Sequence, residues 1–455
     1  MAQVLMLCHD QHLDRRVLAQ AQSLIGQGHS VRLLALAFDA DTSEDTTPEG
    51  VALMRIGLAH IVPENPTYLG YMARQYKFND VLNALANRYP GGSGYFQKGF
   101  QLVSRLNWRL YTTLLLLRYR NRSLHDPLPF RQAFVKHGQQ FRSDLVQVHD
   151  LPALEAGAEL AEAWGVPLVY DAHELYPEQK SFSQVQRNIC SRAEAQFIQK
   201  AQLVFAVNQS IGEEMARRYQ IAPPVTLLNA IDPPAEFDPE ANYDLLREKL
   251  SLPAERRILL FQGGFAPHRN LENLVQAMSY VKTTDVDLVM MGFGPFGDVL
   301  KKKAANLGLL GSRIHFLPAV PQCELLQHSA SADVGIIPYP HVDLNSYYCT
   351  PNKLFEFIQA GLPILANDSP ELNRFVRKND FGFSYRMDNS NMIAEAIDRA
   401  LSSSGYDSWR ENIRQKRKNL TWQGQGSIYL GRMSNFLGVN SGDVAKEGVE
   451  DAIFK

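Results

Sequence analysis

Apolar positions recur along the chain in short runs, and a stretch with helical periodicity follows most of them. The first run, VLMLC at residues 4–8, predicts a buried strand, and residues 16–28 predict an amphipathic helix that ends at Gly28. Further strands are predicted in this half at SVRLLALAF (30–38), DLVQVHD (144–150), PLVYDAH (167–173) and LVFAVN (203–208). Strands that alternate with helices predict a parallel sheet covered on both faces.

The second half of the chain repeats this scheme. Its predicted strands are RILLFQGG (257–264), VDLVMMGFG (286–294), IHFLPAV (314–320), DVGIIPY (333–339) and PILAND (363–368). Its predicted helices are LENLVQAMSYVK (271–282), FGDVLKKKAANLG (296–308) and ELLQHSAS (324–331). The pattern therefore predicts an α/β protein with two doubly wound, Rossmann-like domains.

The segment NAIDPPAEFDPE (229–240), rich in proline and acid, is the best candidate for a domain boundary. We expect an N-terminal domain at 1–232, a C-terminal domain at 233–404 and a last helix within 405–437. This helix is predicted to return to the N-terminal domain. The end of the chain, 438–455, mixes Gly, Ser, Asp and Glu and is predicted to be a flexible tail.

Composition narrows the choice of location and partners. The formal net charge is −2, which gives no overall attraction to nucleic acid. The four cysteines are far apart and show no metal-binding spacing, which is typical of reduced thiols in the cytoplasm. The run of four leucines at residues 114–117 is far too short to span a bilayer. We therefore expect a cytoplasmic protein.

The segment TPNKLFEFIQAGLPI (350–364) carries the most specific chemistry. Lys353 and Glu356 are three residues apart and would lie on the same side of a helix that begins near Pro351, with Thr350 as its cap. A cation and an acid on a first helical turn suit a ligand with phosphates and vicinal hydroxyls. An ordinary solvent-exposed ion pair is the alternative.

In doubly wound sheets, ligands bind beyond the carboxyl ends of the strands. Three strands of the first half end in a histidine with a carboxylate beside it, at His9-Asp10, His149-Asp150 and the segment 171–174, which contains His173 and Glu174. A single such histidine is more often structural. Three of them predict a functional cluster.

In the second half, a predicted strand runs into Gly263-Gly264, and Arg269 follows just before a helix. Two glycines allow the backbone to approach an anion, and an arginine can bind phosphate oxygens in a fork. The segment GFGP, with Gly292 and Gly294, is a second glycine turn at a strand end. An ordinary turn is an equal alternative there. The Asp-x-Asp pairs at 39–41 and 285–287 offer no credible cation site, so no metal is expected.

Two Rossmann-like halves with GGFAPHR, GFGP and TPNKLFEFIQAGLP in this order resemble family four of the retaining glycosyltransferases, which have the GT-B fold. The segments VHDLPAL and VYDAHELYPE, together with DRRV at 14–17, which contains Arg16, are similar to the branch that builds bacterial surface polysaccharides. The resemblance covers about residues 2–60 and 144–435.

The resemblance implies two domains that face a central cleft and a nucleotide-sugar bound mainly by the second. It implies a phosphate loop at Gly263 and Gly264, ribose binding by Glu356, and a donor-sugar contact by His149. Many members have arginine where Gly264 stands and lysine where Arg269 stands, and Lys353 is proposed to replace the missing cation. The full set of donor-binding residues predicted in this way is Gly263, Gly264, Gly292, Gly294, Asn345, Asn352 and Glu356.

One departure from the family pattern is clear. The family signature is Glu, seven residues, Glu, and the first glutamate falls on Tyr348. Asn345 or Asn352 is then expected to contact the sugar in its place.

The mechanism implied is anomeric retention without a metal or other cofactor. Arg269, Lys353 and backbone N–H groups would stabilise the leaving diphosphate, with His149 as a third catalytic residue that positions the substrate. The expected donor is a nucleotide-sugar, UDP- in preference to GDP-. The expected acceptor is a polysaccharide or lipid-linked saccharide that contacts His9, Asp10, Arg16, Asp150, His173 and Glu174. Two alternatives stay open, a GT-B sugar-nucleotide epimerase and a degenerate transferase that only binds a sugar nucleotide.

Residues 64–143 are predicted to form a helical insertion with twelve Lys and Arg against three acids. Aromatic residues are interleaved with the basic ones, which suits the interface of an acidic membrane and therefore peripheral attachment to its cytoplasmic face. The alternative is a helical hairpin packed on the first domain with a solvated basic face.

Overall fold

The computed structural model describes residues 1–37, 41–58, 66–88, 93–119 and 130–438. They divide into two compact units. The first lies within residues 1–206 and 214–225 and includes the end of the last helix from Met433; the second contains residues 207–213 and 226–432. Each unit has its own sheet.

The sheet of the first unit has eight strands in the order β3-β4-β2-β1-β5-β6-β7-β8. Their bounds are β1 Gln3–Cys8, β2 Ser30–Ala37, β3 Ser43–Thr46, β4 Ala52–Gly57, β5 Leu145–His149, β6 Leu168–Ala172, β7 Leu203–Ala206 and β8 Val225–Thr226. The run from β4 to β7 is parallel, and β3 is antiparallel to β4. Every residue of β5 and β6 is buried, as expected for central strands of a parallel sheet.

The helices that follow in this part of the chain are α1 Arg15–Gly26, α2 Pro66–Arg88, α3 Ser93–Tyr119, α4 Phe130–Gly138, α5 Leu151–Trp164, α6 Gln184–Phe197 and α7 Gln209–Tyr219. The side chain of Asp14 caps α1 by accepting the Arg16 N–H. Beyond the helix, Gly28 has a positive φ of 80°, so the chain can turn back into β2.

The predicted insertion contains a hairpin of two long helices, α2 and α3. Asn107 is buried between them and accepts from Arg74 Nε at 2.7 Å. Tyr71, Trp108 and Tyr111 pack against one another with ring centroids 5.0–5.6 Å apart. These three aromatic residues therefore stabilise the hairpin by packing against one another, and the membrane contact of the insertion stays a prediction.

The sheet of the second unit has six strands in the order β11-β10-β9-β12-β13-β14, and all of its pairs are parallel. Their bounds are β9 Arg257–Gly264, β10 Val286–Phe293, β11 Ile314–Pro318, β12 Val334–Ile337, β13 Ile364–Asn367 and β14 Gly382–Tyr385. Along the chain, successive strands are added on one side of β9 up to β11 and on its other side from β12 onward, so the direction of the strand order changes between β9 and β12. A crevice for ligands opens at such a point in doubly wound folds.

The helices of this part of the chain are α8 Leu245–Leu250, α9 Leu271–Ala277, α10 Gly297–Asn306, α11 Leu325–Ala330, α12 Leu344–Tyr348, α13 Asn352–Gln359, α14 Pro370–Leu372, α15 Ser390–Leu401, α16 Tyr406–Lys416 and α17 Trp422–Leu437. Apolar residues pack on both faces of the sheet. Leu260 of β9 points into one core cluster, while its neighbours Leu259 and Phe261 point into the other.

The prediction of two parallel-sheet α/β domains is confirmed. Sequence patterns missed β3, β4 and β8 of the first sheet and the edge strand β14 of the second, which is short and only half-buried. They also extended α9 too far, to residue 282. The backbone N–H groups of Lys282 and Thr283 bind the side chain of Asp398 instead of continuing the helix.

Several sequence predictions lie outside the described residues. These are Asp39 of one Asp-x-Asp pair, residues 64–65, 89–92 and 120–129 of the insertion, and the tail after residue 438. Among the described helices, none is long and apolar enough to cross a membrane.

Candidate functional site

The carboxyl end of β9 forms a glycine turn that brings two strands into unusually close contact. Gly263 has a φ of 117°, in the region that favours glycine. A Cβ on Gly292 of the neighbouring strand β10 would lie only 1.9 Å from the Gly263 carbonyl oxygen. The backbone conformation at Gly263 and the close approach at Gly292 therefore both favour glycine. Because neither residue has a side chain, open space remains above the strand ends.

A cavity of about 460 Å³ occupies this space. Its lining includes Arg269, Lys353 and all but two of the seven predicted donor-binding residues, namely Gly263, Gly264, Gly292, Asn352 and Glu356. The two that do not line it are Gly294 and Asn345. A Cβ on Gly294 would lie 2.5 Å from the Phe265 carbonyl oxygen, so this glycine serves the turn itself.

Lys353 and Glu356 lie on the first turns of α13, and both face the cavity. Their side chains are only 5% and 8% exposed, so the alternative of a solvent-exposed ion pair is wrong. The predicted cap is also wrong. Pro351 occupies the N-cap position, and the hydroxyl of Thr350 accepts from Asn208 Nδ2 at 3.2 Å.

Arg269 and Lys353 converge on one phenol. Arg269 Nη1 donates to the Tyr339 hydroxyl at 3.2 Å, and Lys353 Nζ donates to the same oxygen. Lys353 Nζ also lies 4.5 Å from the centre of the Tyr339 ring and 5.1 Å from that of Phe261. In the described part of the chain, neither cation forms an ion pair with a carboxylate.

The two cations also cover the glycine turn. A Cβ on Gly263 would meet Lys353 Nζ at 3.5 Å, and a Cβ on Gly264 would meet Arg269 Nη1 at 3.5 Å. The side chain of Arg269 thus fills the space above Gly264, where many members of the resembled family have an arginine. Lys353 lies beside it as the second cation.

Glu356 is held by a buried chain of hydrogen bonds. Gln262 Nε2 donates to Glu356 Oε2 at 2.6 Å, and the Ser329 hydroxyl donates to Gln262 Oε1 at 2.7 Å. Because Gln262 is fixed at both ends, the carboxylate of Glu356 has a defined orientation at the cavity wall. Asn352 is fixed in a similar way, since its Oδ1 accepts from Asn229 Nδ2 at 2.6 Å.

In the first unit, the sheet register brings the histidine-containing strand ends together. Cys8 of β1 is paired with His149 of β5, and His149 is paired with Asp171 of β6. Parallel neighbours in the sheet therefore place His9, His149 and His173 at one edge. The sequence had indicated that each of these histidines lies at the end of a strand.

Asp171 is the centre of this cluster and is fully buried. The guanidinium of Arg16 binds both of its oxygens, at 2.5 and 2.9 Å, and Gln20 Nε2 donates to Oδ2 at 2.6 Å. Burial would raise the pKa of Asp171, but the charge of Arg16 holds that pKa well below its usual range. The carboxyl group is therefore ionised.

The two histidines beside Asp171 differ in charge. Burial lowers the pKa of His149, which is 1% exposed, so its ring is neutral. Burial would also lower the pKa of His173, but Asp150 and Asp171 raise it to about 9. His173 Nε2 lies 3.1 Å from Asp171 Oδ2. His173 is therefore an imidazolium that bridges two acids.

Both ring nitrogens of His149 are engaged inside the cluster. Nδ1 lies 3.3 Å from Asp171 Oδ2, and Nε2 lies 3.4 Å from Gln147 Nε2. His149 thus orients its neighbours in this geometry. Its contact with the donor sugar stays a prediction.

Asp150 has a strained backbone, with φ 60° and ψ 165°, a region occupied almost only by glycine. Its N–H donates to the Asp171 carbonyl at 3.0 Å, and its Oδ1 accepts the His173 N–H at 2.9 Å. Burial raises the pKa of its carboxyl group to about 7. Such strain is found at functional sites, where surrounding contacts hold it in place.

The remaining predicted acceptor residues lie around this cluster. His9 Nε2 lies 3.4 Å from Asp10 Oδ1, and the His9 ring contacts Tyr176 edge-on with centroids 5.9 Å apart. Glu174 accepts from Gln179 Nε2 at 2.6 Å. His9 Nδ1 is buried and has no hydrogen-bond partner within the described ranges.

The ligand atoms of His149, Asp171 and His173 lie within 4.8 Å of one another, close enough for a metal. However, Arg16 and Gln20 already donate to the Asp171 carboxylate. A divalent cation would have to lie beside a buried guanidinium, which is electrostatically costly. The arrangement fits the imidazolium of His173 better than a metal ion.

Two domain families match the chain in sequence. Residues 13–229 match the family described as glycosyl transferase 4-like domain, and residues 242–419 match glycosyl transferases group 1. Together these two matches cover most of the chain. The protein belongs to the glycosyltransferases.

Solved structures show the same fold for this glycosyltransferase. It is similar to sucrose-phosphate synthase from Thermosynechococcus elongatus, with a TM-score of 0.66, 16% identity, and coverage of 96% of this chain and 99% of the other. It is also similar to the Anabaena protein HepE in complex with UDP and glucose, with a TM-score of 0.63, 15% identity, and coverage of 96% and 100%.

The matches to curated relatives cover a smaller part of both chains. A D-inositol 3-phosphate glycosyltransferase of Corynebacterium glutamicum (strain R) is 24% identical over 215 residues, which are 43% of this chain and 50% of the relative. The glycosyltransferase therefore spans about half the length of the first curated relatives that it matches.

Sequence reasoning missed three residues of the second unit's site in this glycosyltransferase, Tyr339, Gln262 and Ser329. Tyr339 follows β12 and belongs to no motif that marks a ligand. Only the sheet order, with β12 beside β9, places it at the phosphate-binding turn. Gln262 precedes the glycine pair and could have been suspected, because a buried amide inside a strand needs a partner.

Proposed function

We propose that the protein transfers a sugar, with retention of anomeric configuration, from a nucleoside diphosphate sugar to a saccharide acceptor. One observation carries this proposal. Lys353 is almost fully buried and Arg269 is half-buried, yet in the described part of the chain neither is paired with a carboxylate. Buried charges are ordinarily paired, so two such cations above a glycine turn favour an anionic ligand such as a diphosphate.

The rest of the cavity fits the remainder of such a donor. Glu356 presents a carboxylate fixed by Gln262, which suits the two hydroxyls of a ribose. UDP is bound by the structurally similar Anabaena protein, and this supports a UDP-sugar here ahead of a GDP-sugar. Asn352, which is fixed by Asn229, is proposed to contact the sugar, since Tyr348 stands where the family has its first glutamate.

The catalytic contribution of this chain is electrostatic. Arg269, Lys353 and the N–H groups of the glycine turn would bind the diphosphate more strongly as it leaves and gains charge. The acceptor hydroxyl would lose its proton to the leaving phosphate, so no metal is required. His149 and the imidazolium of His173 would position the acceptor and the sugar.

We propose a polysaccharide or lipid-linked saccharide as the acceptor, at a cytoplasmic membrane surface. The support is a leucine stripe on α3, consisting of Leu102, Leu106, Leu110, Leu114 and Leu117, which are 41–59% exposed. At about 100° per residue these leucines share one side of the helix. Exposed Lys98, Arg105 and Arg109 lie along one edge of that side, as expected for a helix lying on an acidic lipid surface.

Transfer is tested with radiolabelled UDP-glucose and UDP-N-acetylglucosamine, a bacterial membrane lipid extract as acceptor, and excess chelator. We expect label in the lipid fraction together with released UDP. A changed sugar without nucleotide release would favour an epimerase. Nucleotide binding with no turnover would favour a degenerate binding module, and loss of activity in chelator would contradict a metal-free reaction.

A further inference from the structure

The phenol of Tyr339 lies between the two cations of the phosphate-binding turn. Arg269 Nη1 and Lys353 Nζ both donate to its hydroxyl oxygen. A phenol has two lone pairs that accept and one O–H that donates. Both accepting positions of Tyr339 are therefore occupied, and only its O–H remains for a further hydrogen bond.

The groups around the Tyr339 hydroxyl determine which atom can accept a hydrogen bond from it. None of the described residues accepts a hydrogen bond from the Tyr339 hydroxyl. Tyr339 lines the same cavity as Gly263 and Gly264, and its backbone oxygen is bound separately by Asn367 Nδ2 at 2.6 Å. The O–H of the half-buried Tyr339 is therefore available to donate to a ligand oxygen in the cavity.

The chemistry of the neighbourhood defines the ligand oxygen. The hydroxyl of Tyr339 contacts two cations, and the half-buried thiol of Cys349 interacts electrostatically with both of them. Burial raises the pKa of that thiol to about 12, so it supplies no negative charge. An acceptor that satisfies the O–H of Tyr339 and the positive charge of Arg269 and Lys353 together is a phosphate oxygen.

We infer that Tyr339 is a third phosphate-binding residue, which donates its hydroxyl proton in a hydrogen bond to a diphosphate oxygen while its oxygen holds Arg269 and Lys353 side by side. This inference rests on the proposed function, because it takes the diphosphate of the donor as the ligand. It adds a neutral donor to the two cations and explains how two positive side chains remain close together although no described carboxylate forms an ion pair with either of them.

The substitution Tyr339→Phe tests this role, because it removes the hydroxyl and keeps the ring that packs against Lys353. Calorimetric titration of the full-length protein with UDP and with uridine separates phosphate binding from base binding. We expect Tyr339→Phe to weaken the binding of UDP by about tenfold to a hundredfold, which is the range for a lost hydrogen bond to a charged group. The affinity for uridine should be unchanged. Tyr280→Phe, at an exposed tyrosine outside the cavity, is the control and should change neither affinity.

Steady-state kinetics with UDP-glucose provides a second measurement. The kcat of Tyr339→Phe should fall more than KM rises, because the phosphate charge is greatest as the bond breaks. If Tyr339→Phe weakens the binding of UDP and of uridine equally, Tyr339 has only a structural role and the inference is overturned. Unchanged UDP affinity in Tyr339→Phe would overturn it as well, while the proposed function would stand. If the wild-type protein binds none of UDP, GDP and ADP, the proposed function fails and this inference fails with it.

Discussion

At the scale of single residues, the strongest feature is that each charged group of the nucleotide cavity is oriented by a neutral neighbour. Tyr339 orients Lys353 and Arg269, and Gln262 orients Glu356. Side chains fixed in this way lose little further freedom when a ligand binds. Substitutions at these residues should therefore affect binding and turnover more than folding.

The substitution Glu356→Ala should weaken nucleotide binding by about tenfold to a hundredfold, because hydrogen bonds to a charged group contribute about 1.5–3 kcal/mol. Glu356→Gln keeps the shape and removes the charge, and it should lie between the wild type and the alanine variant. Calorimetry with UDP measures the effect. Unchanged affinity in Glu356→Ala would show that Glu356 is not the ribose ligand.

Arg269→Ala and Lys353→Ala should each lower kcat with UDP-glucose by more than they weaken uridine binding, since their charge acts on the leaving diphosphate. Lys302→Ala, at an exposed lysine of α10, is the matched control and should behave as wild type. Equal losses of uridine affinity and turnover would place both residues outside the phosphate site.

His173 gives the first unit a specific pH dependence. Its pKa rises from an ordinary value near 6.5 to about 9 on folding, so its contribution to stability is complete below pH 6.5 and is lost as pH rises through 9. His173→Gln should therefore lower the unfolding temperature at pH 6 and have a much smaller effect at pH 9.5.

The exposed His12 provides the control, because His12→Gln should show no such difference between the two pH values. Thermal unfolding followed by circular dichroism measures both variants. The same loss of stability for His173→Gln at pH 6 and pH 9.5 would contradict an imidazolium held by Asp150 and Asp171.

At the scale of elements, the hairpin of α2 and α3 has two different faces. Its inner face is closed by Asn107, Tyr71, Trp108 and Tyr111, while the leucine stripe of α3 is exposed. An exposed apolar stripe of this size is uncommon on a soluble helix unless it contacts another surface. The basic edge favours an acidic lipid surface as that partner.

The double substitution Arg105→Glu with Arg109→Glu should abolish co-sedimentation of the protein with phosphatidylglycerol vesicles at low salt. Each basic residue near an acidic surface contributes about 1 kcal/mol, and salt screens this attraction. Lys301→Glu with Lys302→Glu, in the second unit, changes the net charge equally and should leave sedimentation unchanged. If the wild-type protein does not sediment with these vesicles, the stripe has another partner, and a soluble acceptor becomes the better proposal.

At the scale of the whole molecule, the fold followed from the alternation of apolar runs and helical stretches. Much of the nucleotide cavity also followed, because Lys353 and Glu356 are close in sequence and the glycine pair marks a strand end. Tyr339 could not be predicted in this way. Its role depends on β12 lying beside β9 in the sheet, which no local pattern encodes. The order of the hydrogen bonds around Asp171 was equally inaccessible, since Arg16 and Asp171 are 155 residues apart.

The central claim is that the second unit binds a nucleoside diphosphate sugar through Arg269 and Lys353, two cations that have no acidic partner among the described residues. The most direct measurement is the unfolding temperature of the wild-type protein and of Arg269→Ala in the presence of UDP-glucose, GDP-mannose and ADP-glucose. We predict that at least one of the three raises the unfolding temperature of the wild type, UDP-glucose most, and that Arg269→Ala loses most of this increase. No increase for the wild type with any of the three, or an equal increase for Arg269→Ala, would contradict the claim.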